Sequence, residues 1–154
     1  MKYEDLRNYL QKEMKVSPGS NYQPVMIKTL NKNGGKCTKD TIQQKLVKFN
    51  PEFSANHFVK YPFEILLKNG IVELIGDFYV LKAFKTYEDD EDKIERISFY
   101  CNQEIRVCSD IKELRSFENK VDKVQLQVLE EILRLRGKTR TAQQLGWSSR
   151  GSGF

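Results

Sequence analysis

Apolar residues recur along this chain with two different periods, and the places where the period changes divide it into elements. Tyr3, Leu6, Leu10 and Met14 share one helix face, with Arg7, Lys12 and Glu13 elsewhere, which is the spacing of an amphipathic helix. Ser17, Pro18, Gly19, Ser20 and Asn21 then supply a break. From Tyr22 a helical period resumes in Val25, Met26, Ile27 and Leu30, and Pro24 sits in the first turn, where its missing N–H is no loss. Asn33, Gly34 and Gly35 end this helix. Thr38 is placed to cap a helix over 39–49 with Ile42, Leu46 and Phe49 inward, and Asn50 and Pro51 stop it.

The next stretch predicts a short helix near 54–60 and a second over 62–68, with Pro62 at its first position and Phe63, Leu66 and Leu67 inward. Asn69 and Gly70 close that helix. The period then changes to two: a strand over 71–74, a turn at Ile75, Gly76 and Asp77, and a returning strand over 78–82. Beyond Tyr87 an acidic run, EDDEDKIE, reads as a solvated helix start. Ile94, Ile97, Tyr100, Cys101, Ile105 and Cys108 keep a helical period behind it, as do Val121, Val124, Val128, Leu129, Ile132 and Leu135 further on. Two long helices, or one broken near Ser109, are implied.

The expected fold class is mainly α with a small β-hairpin, arranged as a winged helix-turn-helix plus a C-terminal helical extension. Residues 1–86 would form that domain with its N-terminal helix, 87–136 a helical extension or linker, and 137–154 a Ser/Gly-rich disordered tail.

Charge sharpens this picture. Up to Tyr87 there are 14 Lys and Arg against 8 Asp and Glu, whereas beyond it 12 oppose 13. The basic excess therefore belongs to the helix-turn-helix half, where it attracts polyanions by displacing their counterions. No apolar run is long enough to span a bilayer, and the N-terminus has acids among its bases and no apolar block. We therefore expect a cytoplasmic protein with no membrane partner. Three cysteines, Cys37, Cys101 and Cys108, are an odd number without an export signal and read as small buried residues.

The block YQPVMIKTL (22–30), then Asn33, Gly34, Gly35 and Lys36, and later KNGIVE (68–73) with Gly76, Asp77 and Tyr79, resemble the N-terminal winged-helix DNA-binding domains of restriction-type endonucleases, including HNH-type ones. The leader YEDLRNYLQKEMK is similar too, and the likeness covers somewhat over half the chain. It implies double-stranded DNA binding, selective for sequence or structure, as the targeting module of a restriction or defence-type nuclease or as a stand-alone relative. Such nucleases carry a catalytic module after an acidic linker, which EDDEDKIERI resembles. His57 is the only histidine, so an HNH site is not expected, and neither catalytic residues, metal ligands nor a cofactor are assigned.

Within the winged-helix reading, phosphate contacts fall to Lys36, Lys39, Lys60, Lys68, Lys82 and Lys85, and base reading to the shorter groups Asn56, His57, Tyr61, Glu64 and Asn69. Double-stranded DNA is the expected partner, with a homodimer or a separate nuclease subunit beside it. The alternative function is a winged-helix protein-interaction adaptor, dimeric through the C-terminal helices.

Overall fold

The computed structural model describes residues 1–14, 22–49, 60–115 and 123–144. Its elements in chain order are α1 (Tyr3–Asn8), continued by a π-helical turn (Tyr9–Glu13), then α2 (Tyr22–Lys32), β1 (Lys36–Thr38) and α3 (Lys39–Phe49). There follow α4 (Lys60–Lys68), β2 (Val72–Ile75), β3 (Phe78–Leu81), a 3-10 turn (Phe84–Thr86), α5 (Glu91–Arg115) and α6 (Lys123–Gln144). The protein is mostly helical, with one small three-stranded antiparallel sheet in the order β1-β3-β2.

Local chemistry sets the element ends. At the close of α2 the Gly35 N–H donates to the Leu30 carbonyl at 2.8 Å, with Gly34 at φ 73, so a left-handed glycine turns the chain out of the helix. The end of α4 repeats the device: the Ile71 N–H donates to the Leu66 carbonyl at 3.0 Å across Gly70 at φ 70. Thr38 caps α3, its Oγ1 accepting from the Thr41 N–H at 3.4 Å. Asp90 does the same for α5, its Oδ1 accepting from the Lys93 N–H at 3.2 Å. The acidic run thus serves as an exposed helix start.

The hairpin pairs Ile75 with Phe78 around the two-residue turn Gly76-Asp77. Gly76 is at φ 59 and Asp77 is not left-handed, as a glycine-first hairpin turn requires. Ile75 therefore belongs to the strand rather than to the turn. The strand β1 was not expected. It exists because Lys36, Cys37 and Thr38 pair with Val80, Tyr79 and Phe78, a tertiary pairing that three residues cannot announce.

The core gathers Leu6 and Leu10 of the N-terminal helix, Met26, Ile27 and Leu30 of α2, Ile42 and Leu46 of α3, Leu66 of α4 and Leu81 of β3. The Phe63 and Tyr79 rings meet at 4.5 Å, joining α4 to the sheet. Ile97 and Cys101 of α5 close the same core. The helix α5 runs unbroken through Ser109, whose hydroxyl donates to the Ile105 carbonyl at 3.1 Å; a serine that bonds back in this way is accommodated mid-helix. The helix α6 continues through Gly137 to Gln144, so part of the stretch expected to be a disordered tail is helical. Lys138, Arg140, Ala142, Gln143 and Gln144 are good helix formers, and they outweigh one glycine. Helix α4 begins at Lys60, two residues before the start expected at Pro62; residues 54–59 of the short helix expected near 54–60, and residues 145–154, lie outside the described residues.

Candidate nucleic-acid interface

Three of the lysines singled out from the sequence meet beside the sheet at the base of the hairpin. Lys36 opens β1, Lys82 follows β3, and Lys85 lies in the 3-10 turn; together they line one small cleft of about 120 Å³ with Glu73 and Glu88. Pairing fixes their places. Lys36 sits opposite Val80, and the Lys82 N–H donates to the Ile71 carbonyl at 3.0 Å. The Lys36 ammonium stands over the exposed Phe78 ring, 5.3 Å from its centroid, so the cation faces the electron-rich face of the aromatic. Lys39, the first residue of α3, is exposed with its ammonium 6.0 Å from the Phe63 ring of α4. Lys68 is exposed in the last turn of α4 and does not line the cleft.

Asn69 has a different environment. Its Nδ2 donates to the Tyr9 hydroxyl at 3.1 Å, and that hydroxyl donates to the Gln23 side-chain carbonyl at 2.6 Å. The relay ties the end of α4 to the π-helical turn and to α2, in a cleft shared with Asp5 and Glu13. Burial raises the Tyr9 phenol above its ordinary value, while the bond from Asn69 opposes the rise. Lys60 and Tyr61 lie in the first turn of α4, with side chains outside the described residues, as are Asn56 and His57 entirely.

The hairpin tip supplies no basic residue of its own: Leu74, Ile75 and Phe78 are exposed around Gly76 and Asp77, and the cation over Phe78 is Lys36, reaching from β1.

A second basic feature escaped the sequence reading. Lys28 and Lys32 of α2 and Lys45 and Lys48 of α3 line one open groove of about 530 Å³ beside Phe49. Each lysine reads in isolation as part of a polar helix face. The signal that could have found them is their spacing: four apart on α2, three apart on α3, with no acid in α2 and only Asp40 in α3.

Among the described residues no three His, Cys, Asp or Glu side chains are grouped to hold a metal ion. Cys37, Cys101 and Cys108 are buried, and burial pushes the Cys37 and Cys101 thiols up, away from the reactive thiolate. Among the described residues no helix is long and apolar enough to cross a membrane. The chemistry these surfaces offer is electrostatic capture of anions. Compared with protein-family models, curated proteins and solved structures, the chain matches none of them.

Proposed function

We propose that the protein binds double-stranded DNA in the cytoplasm as a winged helix-turn-helix, the targeting module of a restriction or defence-type nuclease or a stand-alone relative of one. The element order α2-β1-α3-α4-β2-β3, with β1 added to the hairpin, supports the winged-helix reading. The observation that carries the function is the convergence of Lys36 with Lys82 and Lys85 on one cleft, from two segments far apart in sequence. In the cleft three ammonium groups face two carboxylates, Glu73 and Glu88; Lys39, beside α4, adds a cation outside it, and the surplus neutralises phosphates. In this reading α4 faces the duplex, its first turn and the segment before it read bases, and the base of the hairpin holds the backbone.

Backbone amide NMR of the protein with a mixed-sequence duplex tests this directly. Shifts should concentrate on residues 36–39, on α4 (60–68) and on 78–85, and leave the amides of α1 in place. Perturbation confined to α5 and α6, or none at all, would reject the proposal.

A second reading rests on a separate observation. In α6, Val124 (64% exposed), Val128 (54%), Ile132 (43%) and Leu135 (57%) form an outward apolar stripe, while Leu126 and Glu130 are buried on its other side. Such a stripe is an interaction surface, which favours an adaptor or a dimer formed through α6.

A further inference from the structure

Helices α2 and α3 pack against each other and enclose between them the groove lined by Lys28, Lys32, Lys45 and Lys48, with no carboxylate among its lining residues. Stability alone does not account for this set. Lys32 and Lys48 lie in the last turns of their helices, where the helix dipole favours a cation. Lys28 and Lys45 have no such reason. Like charges at these helical spacings repel, and a groove between two packed helices concentrates the repulsion. An anion seated among them relieves it.

The other lining groups narrow the class of anion. Phe49 leaves 46% of its surface exposed at the rim of the groove. The local hydrogen-bonding groups are already engaged: the Thr29 hydroxyl donates to the Val25 carbonyl at 2.8 Å, and the Asn33 Nδ2 donates to the Thr29 carbonyl at 2.7 Å. What the groove offers a ligand is therefore positive charge and one aromatic face, with little directional hydrogen bonding. Charge that follows a phosphate chain, beside a ring on which a base can stack, is the recognition chemistry of single-stranded nucleic acid without sequence preference. Along α2, Lys28 and Lys32 are separated by about 6 Å of helix rise, comparable with the phosphate repeat of an extended strand.

We propose that the groove between α2 and α3 binds single-stranded nucleic acid, its lysines on the phosphates and Phe49 stacked on a base. This site is distinct from the duplex face formed by Lys36, Lys82 and Lys85, and it stands or falls independently of that face. A melted or displaced strand is the ligand its chemistry suits.

Fluorescence anisotropy of the full chain with labelled oligothymidylate tests the proposal. Phe49→Ala should weaken binding by about tenfold, the effect of losing one stacked base, and Phe49→Tyr should restore it. Replacing the four lysines by glutamine should flatten the salt slope by roughly three units. The variant Lys36→Gln/Lys82→Gln/Lys85→Gln should bind oligothymidylate as the parent does, even where it loses duplex. Circular dichroism melts confirm that each variant is folded, and both Phe49 and the lysine head groups sit at the surface. The assignment is overturned if Phe49→Ala binds like its parent, or if inorganic polyphosphate competes as well as the oligonucleotide, since either result reduces the groove to charge alone. It is equally overturned if the Lys36/Lys82/Lys85 variant abolishes strand binding while the groove variant preserves it.

Discussion

The Tyr87 hydroxyl donates to the Asn31 side-chain carbonyl at 2.7 Å, across 56 positions of sequence. Asn31 is 1% exposed, and its Nδ2 donates to the Ile94 carbonyl at 2.9 Å and the Ser98 hydroxyl at 3.0 Å. One amide thus joins α2, the segment after the hairpin and α5. Its partners hold it at the point where the sheet-bearing half of the chain meets the long helix.

Removing that amide should be expensive. Asn31→Ala leaves the buried Tyr87 hydroxyl without its acceptor and should destabilise the fold by about 1–3 kcal/mol, and Tyr87→Phe by roughly 1 kcal/mol. In the double variant the two losses should be less than additive. Asn33→Ala, which removes one bond to the Thr29 carbonyl from an exposed residue, is the control and should change stability by well under Asn31→Ala. Urea unfolding of the four proteins checks the order.

Gly35 offers a second stability test. It lies at φ 84, and a Cβ there would stand 2.5 Å from the Phe84 ring. Gly34, at φ 73, has nothing within 4 Å of that position. Gly34→Ala should therefore cost only backbone strain, about 1–2 kcal/mol, whereas Gly35→Ala should cost clearly more and displace Phe84 from its edge-on contact with Tyr87. Equal thermal shifts for the two variants would contradict the packing described here.

Stability should fall at alkaline pH. Burial raises the phenols of Tyr3, Tyr9, Tyr79, Tyr87 and Tyr100 above the ordinary 10.0, and the thiols of Cys37 and Cys101 above 9.0. Below those ordinary values both folded and unfolded chains keep these protons, and the groups contribute no pH dependence. Above them the unfolded chain releases protons that the folded chain retains, so stability is lost as pH rises. The urea midpoint, followed from neutral pH to about pH 11, should drop on the alkaline side. A midpoint that does not move there would show these groups to be as accessible as in the unfolded chain.

The stripe on α6 predicts self-association. Val128→Glu changes an exposed side chain, so it should leave the urea midpoint nearly unchanged while shifting the sedimentation profile toward the monomer. A wild-type chain that sediments as a monomer at the highest accessible concentration would remove the dimer reading.

Much of the helical framework was legible in the residues because helix signals are local. The cap at Thr38, the glycine exits at Gly34 and Gly70 and the hairpin turn at Gly76 each act through neighbours a few positions away. What was not legible depends on distant partners. The strand at Lys36–Thr38 is defined by β3, the hydrogen bond of Asn69 by Tyr9, and the lysine groove by the packing of α2 on α3. Continuity of α5 through Ser109 is a different case, because its partner is local: the hydroxyl that could favour a turn is satisfied by the Ile105 carbonyl one turn back.

Duplex capture by Lys36, Lys82 and Lys85, as proposed, is tested most directly by the salt dependence of duplex affinity. Anisotropy of a labelled mixed-sequence duplex, titrated from low to physiological salt, should show binding that weakens steeply as salt rises. Lys36→Gln, Lys82→Gln and Lys85→Gln should each flatten the slope by about one unit. No duplex binding at low salt, or a slope that none of the three substitutions alters, would contradict the account.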